Sequence, residues 1–458
     1  FFTFANVINP MRACTKIIPT ASRTLASTSF GAAVNAAGQN SFTVSATSLG
    51  TSVRRFSATP PPFLVEQWEG WEAGKLVLSN SDCEPIKQSS LLSMADDECK
   101  ARWDDLDLGY GHQKGCEHLR ADILGTFNND SLTGIEDFTD EGKASKSSPL
   151  TVDDINVVVP AEGIYLTMNA LLEEGDEVVV AMPCYQSLHQ LAESKGCIVK
   201  PWLPTVDSRP GNDSFSLGPD NTKFHNFSIS DLESLITPST KMVVMNFPHN
   251  PTGAMITEGE LQRIVRACEK NDCYLFNDEM YKYLEHKGKA TLPSVAGIYE
   301  KGISLGGVSK WGSLAGIRIG WVASQSKEVM SKISQLKDYT TISSSRPAEV
   351  LASIGIRNRN LIIQNNLDII HCGKGYLKSF TQVHSEHFEW IEPEGGSFAF
   401  LRLRNEKASP YVRELAEKAN LCVMPSDLFV HGGDDSLRVC FGRKDAIEMI
   451  DTWSKHLE

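Results

Sequence analysis

Between residues 240 and 310 the chain repeatedly runs through a short, mostly apolar stretch and then places a chemically useful residue just past its end. Met242-Val-Val-Met245 leads to Asn250, Cys273-Tyr-Leu-Phe276 to Asp278, and Ile303-Ser-Leu305 to Lys310. Short runs without a polar alternation fit strands that are buried on both faces. Two earlier runs, Val157-Val-Val159 and Glu177-Val-Val-Val-Ala181, each precede an amphipathic helical pattern, at 164–172 and 186–195. Strands alternating with helices predict an α/β fold, a parallel sheet covered by helices. Such sheets bind ligands beyond the carboxyl ends of their strands, and that is the edge where Asn250, Asp278 and Lys310 fall.

The length of 458 residues allows two or three domains and a large core. A formal charge of −13 argues against nucleic acid or an anionic membrane as a partner. No apolar stretch is long enough to cross a bilayer. The 11 cysteines show no C-x-x-C spacing, and no histidines cluster at metal-ligand spacing. Reduced thiols inside a cell fit this better than a disulfide framework or a metal site. Residues 1–65 contain no Asp or Glu, yet carry Arg12, Lys16, Arg23, Arg54 and Arg55 among many Ser, Thr and Ala. That composition predicts an organellar transit peptide over 1–57, mitochondrial in the first instance, with plastid or cytoplasmic placement as alternatives. Arg54-Arg-Phe-Ser57 and the following Pro60-Pro-Pro62 suit a processing site and a stiff leader. The first residue is Phe, and Met11 is a candidate start.

Two polar stretches, 128–154 and 206–227, read as long surface loops. Beyond about residue 335 the pattern changes. A long helical segment at 347–377 precedes strand-like runs at 388–391, 397–401 and 436–440, which suit a smaller α+β domain.

Lys310 closes Ser304-Leu-Gly-Gly-Val-Ser-Lys310, and Arg318 follows in Leu314-Ala-Gly-Ile-Arg318. Asn250 opens Asn250-Pro-Thr-Gly253, and Asp278 opens Asp278-Glu-Met-Tyr281. An amine, a carboxylate, a phenol, an amide and a guanidinium are the groups needed to hold and activate pyridoxal 5′-phosphate. A lysine can form a Schiff base with the aldehyde and then move protons. A buried aspartate can keep the pyridine nitrogen protonated and so make the ring an electron sink. Singly, each has a plainer reading: a solvated lysine, a helix cap, a turn.

Taken in order, Tyr110-x4-Gly115-x3-Leu-Arg120, Asn250-Pro-Thr-Gly253, Asp278-x-x-Tyr281, Ser309-Lys310-x7-Arg318-x-Gly320, Pro393-x-Gly-Gly396 and Arg438-Val-Cys-Phe441 resemble the class I/II aminotransferases of the fold type I pyridoxal-phosphate superfamily. The resemblance spans most of 75–455. It implies a large domain with a mostly parallel seven-stranded sheet sandwiched by helices, plus a smaller α+β domain. The matching boundaries are an arm and part of the small domain at 58–102, a cofactor domain at 103–335 and a small domain at 336–458. Lys337-Asp-Tyr-Thr-Thr-Ile342 is similar to capreomycidine-synthase-like members.

The resemblance also implies roles. Lys310 would form the Schiff base and shuttle a proton between substrate Cα and cofactor C4′. Asp278 would pair with the pyridine nitrogen, Tyr281 and Asn250 would hydrogen-bond the phenolic oxygen, and Tyr185 would stack on the ring. Arg318 and Ser309 would hold the phosphate. The other phosphate anchor would be a helix N-terminus; Pro160 lacks an N–H, so the contacts fall to the backbone of Ala161 and Glu162. Relatives often place Ser or Thr where this chain has Gly307. Tyr110 would reach the phosphate of a second subunit, making the active unit a homodimer. Arg438 would fork onto the substrate α-carboxylate, beside Gly395-Gly396, and Arg346 could meet a distal acid group. The implied reaction moves an amino group from an amino acid to a 2-oxo acid. The alternative is a carbon–sulfur or other β- or γ-lyase, or a cyclase, using the same groups. A sensor without turnover would need a broken Lys, Asp or Arg, and all three are intact.

Overall fold

The computed structural model describes residues 60–71, 74–128, 149–208 and 222–458; the expected leader at 1–57 and most of the loop expected at 128–154 lie outside the described residues. The large sheet has seven strands: β1 (Ile155–Val158), β2 (Glu177–Ala181), β3 (Ile198–Trp202), β4 (Thr240–Asn246), β5 (Tyr274–Asp278), β6 (Gly302–Gly307) and β7 (Gly320–Ala323). Their spatial order is β1-β7-β6-β5-β4-β2-β3. Only β7 runs antiparallel, to both β1 and β6. The run pattern exposed five of these strands; β3, with exposed Ile198 and a Lys-Pro pair, and β7 did not stand out as buried runs.

Alternate residues of the same strand serve different cores, which is the period-two geometry of a strand. Val179, Val243, Met245 and Leu275 pack with Leu261, Ile264, Val265 and Cys268 of the helix Glu258–Lys270. Val178, Val180, Met242, Val244 and Phe276 pack with Ile164 and Met168 of α1 (Pro160–Leu171) and with Val329 and Ile333 of α2 (Lys327–Lys337). The sheet is therefore covered on both faces, which is why its strands read as continuous apolar runs.

A second sheet is antiparallel: β8 (Phe388–Glu389), β9 (Phe398–Leu403), β10 (Met424–Pro425) and β11 (Ser436–Cys440), in the order β8-β9-β11-β10. Leu76–Val77 pairs in parallel with Leu421–Cys422, so the start of the described chain is woven into this region.

Two expectations are corrected. The helical pattern at 347–377 is two helices, Arg346–Arg357 and Arg359–Val383. The break is Asn358, whose side-chain amide donates to the carbonyls of Ile354 (2.8 Å) and Met94 (3.1 Å), the local competition that ends helices at Asn. The stretch at 206–227 is not all loop: Thr205–Ser208 and Lys223–Asn226 pair as antiparallel strands, and residues between them lie outside the described set.

Candidate active site

Strands β4, β5 and β6 are neighbours, with Asn246 in register with Asp278 and Asp278 with Leu305. Their carboxyl ends therefore bring Asn250, Asp278 and Lys310 to one edge. Asn246 fixes that edge: its side chain donates to the Asp278 carbonyl at 2.7 Å and accepts the Asn250 N–H at 2.8 Å.

Asp278 is buried and its carboxylate accepts the Met280 N–H at 3.1 Å. No basic side chain forms an ion pair with it among the described residues. Burial pushes its carboxyl up to about 7, against a smaller pull from Lys310. Glu279 turns away into a closed network, accepting from Ser294 Oγ (2.5 Å), Ser304 Oγ (2.6 Å) and the Val295 N–H (3.2 Å). Lys310 Nζ lies 3.0 Å from Ser81 Oγ and 5.5 Å from the centre of the Tyr281 ring. Tyr281 is itself buried and meets Phe398 of β9 edge-on at 4.9 Å.

Arg438, in β11, is 2% exposed. Its Nη1 donates to Asn250 Oδ1 at 3.0 Å and its Nη2 to the Ser79 carbonyl at 2.8 Å, while Nε has no partner. No acidic side chain pairs with it among the described residues. The site thus contains a buried carboxylate without a cation and a buried guanidinium without an anion. Each is costly to bury uncompensated, so the arrangement suits a ligand carrying both charges.

The expected phosphate groups are less uniform. Ser309 Oγ is buried without a hydrogen-bond partner, an orphan that a ligand oxygen would satisfy. The side chain of Glu162 is already committed, accepting the Val159 N–H (3.1 Å), Thr341 Oγ1 (2.8 Å) and Thr340 Oγ1. Its backbone N–H and that of Ala161 are the leading donors of α1, because Pro160 occupies the first position. Arg318 is exposed, holds φ 57°, and donates to the Ala315 carbonyl at 3.1 Å. Gly307 has a packing reason: a Cβ there would lie 3.1 Å from the Met280 side chain and 3.2 Å from Gly320.

Tyr185 is half-buried, its hydroxyl 3.0 Å from Glu66 and its ring 5.0 Å from Phe63. Tyr110 is 88% exposed and lines an open cleft of about 590 Å³ with Leu108, Ser343, Ser344 and Ser345. Arg346 forms an ion pair with Asp107. Gly396, at φ 82°, faces the Phe398 ring, which a Cβ would approach to 2.8 Å, so protein packing accounts for this glycine.

Sequence reading missed the segment that crosses the site. Leu78 to Glu84 is tied along β11: Leu78 accepts the Cys440 N–H (2.6 Å), Ser81 accepts Ser397 Oγ (2.9 Å), and Asp82 receives both ends of the Arg443 fork (3.0 and 2.9 Å). The signal was available in weak form, since Leu76-Val-Leu78 followed by Ser-Asn-Ser-Asp82 repeats the apolar-then-polar pattern of the large sheet.

Residues 153–450 match the family described as aminotransferase class I and II. The chain belongs to this family. Similar relatives of this aminotransferase include the capreomycidine synthase of Streptomyces vinaceus, 27% identical over 282 residues, covering 61% of this chain and 68% of that protein. Another is kynurenine–oxoglutarate transaminase 3 of Bos taurus, 26% identical over 345 residues and covering 66% and 72% respectively. Among solved structures, a pyridoxal-phosphate-dependent cyclase superposes with a TM-score of 0.71 at 23% identity, covering 89% of this chain and 99% of that one; the likeness shows a shared fold. The aminotransferase's own residues fit pyridoxal phosphate: Asp278 lacks a cation, Ser309 lacks a donor or acceptor partner, and Lys310 faces the same edge.

Proposed function

We propose that this enzyme moves the α-amino group of an amino acid to a 2-oxo acid in two half-reactions. The observation that carries the reading is the pair of buried, unpaired charges, Asp278 and Arg438, on elements linked through Asn250 and Asn246. Pyridoxal phosphate, when bound, supplies the electron sink that stabilises negative charge at the substrate Cα. Asp278 holds the proton on the ring nitrogen, and a cation beside it brings its raised carboxyl back to the ionised form. Tyr281 and Asn250 hydrogen-bond the phenolic oxygen and favour its anion. Ser309, the N–H groups of Ala161 and Glu162, and Arg318 would hold the phosphate. Arg438 forks onto the substrate α-carboxylate and so fixes which Cα bond faces the ring. Lys310 takes the Cα proton and returns it at C4′. Tyr185 covers one face of the ring, backed by Phe63.

The capreomycidine synthase relative and the cyclase fold likeness favour a second reading, elimination or ring closure by the same groups. The test is to load the full chain with pyridoxal phosphate and offer amino acids singly, with and without 2-oxoglutarate. Acceptor-dependent formation of glutamate supports transfer. Ammonia and an oxo acid formed without any acceptor would support the lyase, and a product of unchanged nitrogen content the cyclase.

We also propose a homodimer, supported by exposed Leu108, Tyr110 and Tyr339. Light scattering in solution tests it, and a monomer with full activity would refute it. For residues 1–57 we propose a mitochondrial address, supported by the acid-free, Arg-bearing composition. Imaging of a fluorescent fusion decides between mitochondrion, plastid and cytoplasm.

A further inference from the structure

Lys310 needs a defined position whenever its amine is not joined to the cofactor, because that is when it moves protons. Its amine donates to a hydroxyl on a segment 229 positions earlier in sequence, Ser81 Oγ at 3.0 Å. The backbone that carries this hydroxyl is tied down on both sides. The Ser81 carbonyl accepts Ser397 Oγ at 2.9 Å, and Ser397 is fully buried. Two residues before Ser81 the Ser79 carbonyl accepts from Arg438, and one residue after it Asp82 is gripped by both arms of Arg443. Further along, the Glu84 N–H donates to the Gly442 carbonyl at 2.9 Å. With the backbone fixed, aiming the hydroxyl orders only one side-chain torsion, at little entropic cost.

We propose that Ser81 is a positioning residue for Lys310, holding the free amine at the cofactor face between its covalent states. The proposal rests on the pyridoxal-phosphate reading above. A serine hydroxyl both donates and accepts, so it can hold the amine in either protonation state without competing for its proton. Its carbonyl tie to Ser397 and its neighbours' ties to Arg438 and Arg443 would also couple the lysine's position to the substrate-carboxylate side of the site.

The experiment uses the full chain freed of cofactor, as wild type, S81A, S81C and S81T. Each is mixed with pyridoxal phosphate across pH 6–9, and the visible absorbance of the lysine-linked cofactor is followed in time. Borohydride trapping and peptide mapping identify the lysine. The loaded proteins are then mixed with aminooxyacetate, which displaces the lysine whatever the natural donor is. In S81A and S81C both loading on Lys310 and displacement should slow about tenfold, the scale of one lost hydrogen bond at the amine. Their rate-against-pH profiles should be displaced, and S81T should restore both rates and profile. Unchanged rates and profile in S81A would overturn the proposal. So would an S81T as slow as S81A, because shape rather than the hydroxyl would then matter. Wild type that loads on another lysine would overturn the underlying functional reading and this proposal with it. The trapped peptide distinguishes that outcome from a failure confined to Ser81.

Discussion

The cofactor edge of the large sheet and the substrate side built on β11 solve the same problem in opposite ways. At the cofactor edge, Asn250, Asp278 and Lys310 come from three adjacent strands, in register, with Asn246 bonding two of them. Position there follows from local order, a strand end and the few residues after it. On the other side, Arg438 donates to the Ser79 carbonyl and Arg443 grips Asp82, both on a segment more than 350 residues away. Position there is tertiary, fixed by pairwise hydrogen bonds that no short motif contains. The candidate cofactor groups thus rest on strand geometry, and the candidate substrate side rests on a crossing strap.

The sharpest break is Lys310→Ala. Turnover should fall by at least about 10⁴-fold, since nucleophile and proton carrier are removed together. Cofactor should still bind without a covalent link, which absorbance and dialysis will show. Substantial retained turnover would remove the cofactor edge from the argument.

Asp278→Asn should cost about a hundredfold or more in turnover, because the ring nitrogen loses its anionic partner. Its effect on stability runs the other way. A carboxyl whose pKa is raised in the folded state to about 7 contributes no penalty below its ordinary value of 3.8, and its burial destabilises progressively as pH rises between them. Cofactor-free Asp278→Asn should therefore melt with wild type near pH 4 and be more stable at pH 8, by roughly 2–4 kcal/mol. A variant less stable than wild type at pH 8 would mean that Asp278 is compensated within the chain.

This contrast also explains what the sequence disclosed. Asn250, Asp278 and Lys310 were legible because buried strands announce themselves as apolar runs and the residues just past them face the ligand edge. Ser81 and Arg443 were not, because their roles exist only once the strap lies along β11. Gly396 holds φ 82° against the Phe398 ring and Gly307 sits against Met280, contacts that the sequence does not announce. Asn358 hid in a helical pattern whose period continues across it. Arg318 was legible as a motif, yet its exposed side chain bonds only locally in this state.

Arg438→Lys sits on the boundary between the two regions. A lysine keeps charge but cannot bond Asn250, Ser79 and a carboxylate in one plane. The Michaelis constant for the amino acid should rise about ten- to hundredfold while cofactor affinity holds. Loss of cofactor affinity instead would show that Asn250 depends on Arg438 for its placement.

The smallest effect tests the strap itself. Arg443 touches neither the cofactor edge nor Lys310; it grips Asp82 with two hydrogen bonds at 3.0 and 2.9 Å, and both side chains are partly shielded. Arg443→Ala leaves Asp82 with no fork to hold it, so the residues before it gain freedom. Ion pairs with this exposure contribute about 1 kcal/mol, so the melting temperature should fall by only a few degrees. Final cofactor occupancy should be unchanged, because Asn250, Asp278 and Lys310 are held from the sheet. Turnover per Michaelis constant should drop about three- to fivefold, since one loosened contact is worth about that much in orientation. Occupancy and turnover falling together would mean the strap supports the whole site, and the division between a strand-built cofactor edge and a strap-held substrate side would not hold.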